Sequence, residues 1–234
     1  MKEKSIIFSE QLIPSVIDGS KTVTRRTTRL DKINECPDDW ELHSTENGWT
    51  YVFVNRWSGE RFEIKPKSVY GNIGGELWVR ETWRSMGFDA DYPKYDMLIQ
   101  YKDEQHRWVR FRGGYKLFAF AGWKPSIHMP REASRIQLEI TNLRVERLNS
   151  ISIQDAKAEG IQIEEGEVVH SYGEGLISAT NVTGLPILKY ALLWDHLHGK
   201  GEWKKNPWVW VIDFKVINLE ITTNKKEKES HVLR

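Results

Sequence analysis

Apolar and polar positions alternate most regularly over residues 134–148, where Ile136, Leu138 and Ile140, then Leu143 and Val145, fall on every second residue. A period of two predicts a strand with one buried face. The slip of one position at Thr141-Asn142 predicts a bulge or bend within it. Residues 207–216 are nearly continuously apolar and predict a closing strand buried on both faces over part of its length. Residues 76–83 set Leu77, Val79 and Glu81 against Trp78, Arg80 and Thr82, a strand with two different faces. Shorter strands are expected at 6–8, 97–101 and 108–111, and a hairpin over 50–57 and 60–64 turns at Ser58-Gly59.

Helical spacing is confined to three places. Leu12, Ile13, Val16 and Ile17 predict a helix over 10–18 with Ser9 as N-cap and Gly19 as its stop, and Pro14 demands either a kink or a start near Ile13. Ser152 and Asp155 have capping-box spacing, which predicts a short helix ending at Glu159 before Gly160. Residues 187–197 predict an amphipathic helix whose buried positions are Leu188, Ala191, Leu192 and Trp194 to Leu197, stopped by Gly199. Short strands interleaved with two or three helices, without βαβ regularity, point to an α+β domain on a mixed or barrel-like sheet. One domain is expected over 1–221, with insertions near 34–67 and 86–123. The Gly-rich stretch 165–185 is expected to be mobile and the charged tail 222–234 disordered.

Composition narrows the function. A hydrophobic share of 39% with 11 Trp supplies an ample core for a chain of 234 residues. A formal net charge of +1 excludes a globally basic nucleic-acid binder, so any phosphate attraction must be local. Cys36 stands alone, which excludes an intramolecular disulfide framework and a Cys-based zinc site. His196 and His198, two apart on a helix, point in different directions, and no metal or cofactor is called for. The N-terminal residues carry no long apolar leader core, and no stretch approaches the roughly 18 apolar residues of a membrane span, so the expectation is a cytoplasmic protein without a membrane partner.

Four stretches, taken in order, resemble one family. Asp18-Gly19-Ser20-Lys21-Thr22-Val23-Thr24-Arg25-Arg26 is similar to the ASCH-domain signature, in which a Gly-closed helix feeds a Lys-Thr-x-Thr-x-Arg segment. Gly74-Gly75-Glu76-Leu77-Trp78-Val79-Arg80-Glu81-Thr82-Trp83 resembles the strand that follows. The segment from Trp123 to Arg135 with the long strand and Asp155-Ala156-Lys157-Ala158-Glu159-Gly160-Ile161 resembles large bacteriophage and prophage ASCH proteins, and Asn206-Pro207-Trp208-Val209-Trp210-Val211-Ile212 their last strand. Glu132 and Glu76 depart from the Trp and Asp usual in those relatives.

The resemblance implies a PUA-like β-barrel with flanking helices and a cleft for RNA, a nucleoside or a modified nucleobase. Small bacterial ASCH proteins are amidohydrolases that remove the acetyl group of 4-acetylcytidine with a Lys, a Thr three residues on and a later Glu. Those positions fall on Lys21, Thr24 and Glu159. Amide hydrolysis needs a nucleophile, a base and an acid for the departing amine. Thr24 is the expected nucleophile, Lys21 the base if burial or the cations Arg25, Arg26 and Arg29 lower its pKa, and Glu159 the acid if an apolar wall keeps it protonated.

Substrate contacts are expected at Arg25, Arg26, Arg29 and Arg80 through phosphates, and at Trp78, Trp83 and Trp123 through stacking, with His128 along the cleft. Each residue also has a plainer reading. A basic turn after a helix is ordinarily solvated, a Glu before Gly is ordinarily an exposed helix end, and most Trp residues belong to cores. A non-catalytic RNA or modified-base binding module therefore stands beside the hydrolase.

Overall fold

The computed structural model of the chain describes residues 3–46, 50–88, 96–111, 122–162 and 185–220. In chain order the elements begin β1 (Lys4–Ile7), α1 (Ile13–Ile17), β2 (Val23–Arg26), α2 (Asp31–Asn34), β3 (Trp40–Glu46), β4 (Thr50–Asn55), β5 (Arg61–Ile64) and α3 (Pro66–Val69). They continue with β6 (Glu76–Arg80), β7 (Trp83–Phe88), β8 (Asp96–Tyr101), β9 (His106–Arg110), β10 (Ile136–Arg147), α4 (Ile153–Ala158), α5 (Leu185–His198) and β11 (Trp208–Leu219). The protein is α+β with strand predominating. Its sheets are a five-stranded one in the order β1-β6-β10-β11-β2 and two of three strands, β3-β4-β5 and β7-β8-β9.

Two compact units divide the chain, one drawn from Met1–Ile17, Glu76–Glu139 and Val216–Arg234, the other from Asp18–Gly75 and Ile140–Lys215. In the first, β1 runs parallel to β6 with Ile6 opposite Val79, and β6 pairs antiparallel with the start of β10, Trp78 opposite Gln137. The β7-β8-β9 sheet of this unit packs Trp83, Met97, Ile99, Tyr101, Val109 and Phe111 against Met129 and Ala133. In the second unit β2 pairs antiparallel with β11, Arg25 opposite Val211 and Thr24 opposite Ile212. The β3-β4-β5 sheet of the same unit joins β11 through edge-to-face contacts of Tyr51 with Trp210 and Phe53 with Trp208, at 5.3 and 5.1 Å between ring centres. Such aromatic pairs add about 0.5–1.5 kcal/mol each beyond their burial.

Burial along β10 alternates through Ile140, shows two consecutive exposed residues at Thr141 and Asn142, and resumes on the opposite parity at Leu143 and Val145. The phase slip in the sequence is therefore a change of which residues the strand buries. β11 is buried continuously from Trp208 to Ile212.

Three local expectations are corrected. Of the two readings of the first helix the later start holds, with α1 beginning at Ile13 after a 3-10 turn at Glu10–Leu12, but the expected cap is corrected, because Ser9 makes no capping hydrogen bond. Pro14 lacks the N–H a continuous helix would need, and by starting near Ile13 the helix places it where that donor is dispensable. The strand over 76–83 breaks at Glu81-Thr82 into β6 and β7. On α5 the buried side chains are Leu185, Pro186, Tyr190 and Trp194, whereas Leu192 and Leu197 are exposed. The Gly-rich stretch from residue 165 to 184 and the tail from 222 lie outside the described residues.

Candidate functional site

Lys21 and Glu159 are brought together by backbone before side chains. Gly19, at φ +80, turns the chain into the β2 segment, a conformation that favours glycine. Thr22 N–H donates to the Ala158 carbonyl at 2.8 Å and Lys21 forms an antiparallel bridge with Glu159, while Thr22 O accepts from Phe214 N–H at 2.8 Å. The segment before β2 is thus held between the middle of β11 and the end of α4. That end is defined at both sides: Ser152 Oγ accepts from Asp155 N–H at 3.0 Å, and Gly160, at φ +88, terminates the helix after Glu159.

A closed ionic network grows from this junction. Lys21 Nζ donates to Glu159 Oε2 at 2.5 Å, to the Glu159 carbonyl at 2.8 Å and to the Val23 carbonyl at 2.8 Å, so all three ammonium protons have acceptors. Glu159 Oε1 accepts from Arg25 Nη1 at 3.2 Å and from the Tyr190 hydroxyl at 3.1 Å. Arg25 Nη2 reaches Glu146 at 2.7 Å and Asp155 at 2.8 Å. Arg144 completes the group by pairing with Asp155, Glu146 and Asp213. The side chains of Lys21 and Arg25 are fully buried and that of Glu159 nearly so.

Electrostatics follow from that burial. Desolvation pushes the Lys21 amine below the ordinary lysine value, Glu159 opposes the shift, and Arg26 and Arg25 add to it. Burial first, and then the Glu159 charge, hold the Tyr190 phenol well above its usual range, which keeps it a donor to the carboxylate. Arg25 remains charged: burial opposes its charge, but Glu159 and the other acidic partners more than compensate. Removing one member of such a buried group leaves its partners uncompensated, at a cost of about 3–5 kcal/mol.

Thr24 makes none of the hydrogen bonds described so far. Its hydroxyl accepts from Arg26 Nη1 at 2.5 Å, and strand alternation turns its side chain to the opposite face of β2 from Arg25. Arg26 also donates to the Arg25 carbonyl, and Arg29 is exposed with a left-handed backbone at φ +61.

The remaining predicted contact residues belong to the other unit. Half-buried Trp78 carries the guanidinium of Arg80 at 4.8 Å and that of Arg131 at 6.0 Å from its ring centre. Trp123 is 38% exposed, with Arg84 at 4.7 Å and Lys102 at 4.4 Å. His128 is exposed at the end of a 3-10 turn. Trp83 is corrected as a stacking residue: it is fully buried in its unit's core. Burying an indole completes an apolar cluster but leaves no face for a base.

Sequence reasoning missed Glu146, Tyr190, Arg144 and Asp213, and assigned Asp155 only to the helix start. The charged positions Arg144 and Glu146, alternating with Leu143 and Val145 in β10, were the available signal. Among the described residues no group of three or more His, Cys, Asp or Glu side chains is arranged to hold a metal ion, and no helix is long and apolar enough to cross a membrane. Comparison with protein-family models, curated proteins and solved structures finds no match to this chain.

Proposed function

We propose that the chain is a nucleoside- or RNA-directed protein of the PUA-like type that deacylates a modified cytidine, such as 4-acetylcytidine, using Lys21, Thr24 and Glu159. The supporting observation is the 2.5 Å contact between the Lys21 amine and the Glu159 carboxylate, 138 residues apart and shielded from water. A buried amine beside a buried carboxylate is an acid-base pair whose charge separation is costly. In the resting arrangement Lys21 holds the proton and Glu159 only accepts. Moving that proton across the contact produces a neutral amine able to act as base and a carboxylic acid able to donate, the two partners that amide cleavage requires.

In the forward reaction the Thr24 hydroxyl attacks the acetyl carbonyl and gives its proton to Lys21. The bond from that carbon to the exocyclic nitrogen breaks, Glu159 protonates the departing amine, and water then releases acetate from Thr24. Arg25 and Tyr190 fix the carboxylate. Supply of 4-acetylcytidine to the purified protein, followed by chromatography, tests the reading: cytidine and acetate are the expected products.

The position of Thr24 favours a second reading. With its hydroxyl engaged by Arg26 and turned to the other strand face, the ionic network serves equally as the rigid wall of a non-catalytic RNA or modified-base binding module. Salt-dependent retention of labelled RNA without product formation is the signature of that case.

A further inference from the structure

The first unit contains a cavity of about 440 Å³ between β9, the start of β10 and the end of β11. Its walls carry Arg107, Arg110, Arg131 and Arg135 together with Gln137 and Asn218. Arg135 is held by the buried Glu81 and by Asp103, neither of which lines this cavity. The guanidinium groups of Arg107 and Arg131, which line it, are instead balanced by two acids far apart in sequence, Glu220 of the cavity wall and Glu3.

Glu220 pairs with Arg107, whose side chain is 17% exposed against 47% for the glutamate. Glu3 takes Arg131 through both carboxylate oxygens, at 2.5 Å from Nε and 3.3 Å from Nη2, and also accepts from Gln137 Nε2 at 3.1 Å. Glu220 also accepts from Asn218 Nδ2 at 3.4 Å, so each acid presents two oxygens to guanidinium or amide donors, the arrangement by which a phosphate is recognised. Arg107 is fixed independently of Glu220, because its Nη1 donates to the Glu132 and Ser134 carbonyls at 3.3 and 2.9 Å. Its fork stays in place when the acid leaves. Partly exposed pairs of this kind contribute little net stability, so a doubly charged ligand displaces the acids at small cost.

Next to the cavity lies an aromatic surface. Trp78 is the cross-strand neighbour of Gln137, and Arg131 both lines the cavity and lies over the indole. Layered guanidinium and aromatic groups are the surface on which nucleobases stack.

We propose that this cavity is a binding site for a nucleoside phosphate, free or within a single strand, and that Glu3 and Glu220 occupy the phosphate positions when it is empty. The site shares no residue with the Lys21–Glu159 network and does not depend on its chemistry.

The test is fluorescence anisotropy at low salt with two probes, a labelled 5′-nucleotide and a short labelled single-stranded RNA, each competed with pyrophosphate. Binding is expected to weaken about tenfold or more in Arg107→Ala and in Arg131→Ala, and to tighten severalfold in Glu220→Gln, where that acid no longer competes. Competition by the mononucleotide against the strand identifies a free nucleotide as sufficient; binding of the strand alone identifies the polymer, and both support the site. Glu220→Gln guards against misfolding of the arginine variants, since it must gain affinity. Absence of binding by both the unaltered chain and Glu220→Gln, or binding indifferent to all three substitutions, overturns the proposal.

Discussion

The Lys21 amine and the Glu159 carboxylate meet at 2.5 Å although 138 residues separate them, and each is tied to further buried charge. The contact is set by backbone: Thr22 bonds to Ala158 on one side and Phe214 to Thr22 on the other. The proposed function and the stability of the second unit therefore rest on the same residues.

Glu159→Gln tests the stability side. The substitution keeps the shape but removes the charge that compensates Lys21 and Arg25, and a loss of about 3–5 kcal/mol is expected in urea denaturation. Lys21→Met should cost less, because Glu159 retains Arg25 and Tyr190 as donors. Equal losses from the two would contradict this ordering.

Alkaline pH separates two members of the group. Lys21 is deprotonated in the folded chain before it is in the unfolded one, so between its lowered pKa and the ordinary 10.5 the unfolded state binds more protons and stability rises with pH. Tyr190 has the opposite sign: above 10.0 its phenol ionises in the unfolded chain but not in the folded one, so stability falls as pH climbs further. Denaturation midpoints measured across this range should lose the rise in Lys21→Met and lose part of the fall in Tyr190→Phe.

Tyr190→Phe also isolates one hydrogen bond. Deleting the hydroxyl removes a donor to Glu159 at 3.1 Å, and hydrogen bonds to charged groups contribute about 1.5–3 kcal/mol. A loss in that range by chemical denaturation is expected, and an unchanged midpoint at neutral pH would place the phenol outside the network.

A turn outside the site gives a fourth stability test. A Cβ on Gly75 would meet the Asn72 carbonyl oxygen at 2.7 Å, whereas one on Gly74 meets nothing within 4 Å but must adopt φ +77. Gly75→Ala must therefore move backbone, with an expected loss of about 1–3 kcal/mol. Gly74→Ala pays only the left-handed conformation, about 1–2 kcal/mol. The larger effect should fall on Gly75, because the Asn72 carbonyl its Cβ would meet also accepts the Gly75 N–H at 2.8 Å and cannot withdraw without losing that bond.

Much of the fold is legible where a single period governs. The alternation of β10, its slip at Thr141-Asn142 and the cap at Ser152 follow from local sterics and hydrogen bonding, which neighbouring residues suffice to specify. The buried stripe of α5 was harder: Tyr190 and Trp194 are selected by the cluster they pack into, which includes Val23, Leu148 and Val211, rather than by apolarity along the helix. Ser9 has the residue type of a cap, but the proline-interrupted helix begins later.

The site was legible only in part. Lys21 and Glu159 were picked out by resemblance to a motif, while Glu146 and Tyr190 could not be, since a charged strand residue and a helical tyrosine have many possible partners until tertiary structure chooses. Asp155 shows why local reading stops short. Its N–H is capped by Ser152 as the spacing suggests, while its carboxylate joins Arg25 and Arg144.

The decisive measurement is turnover of 4-acetylcytidine by the unaltered chain, Lys21→Met, Thr24→Val and Glu159→Gln, each confirmed folded by circular dichroism. Release of cytidine by the unaltered protein and its loss in all three variants is the outcome this account requires. Undiminished release from a folded Lys21→Met or Thr24→Val chain, or no release from the unaltered protein, would contradict it.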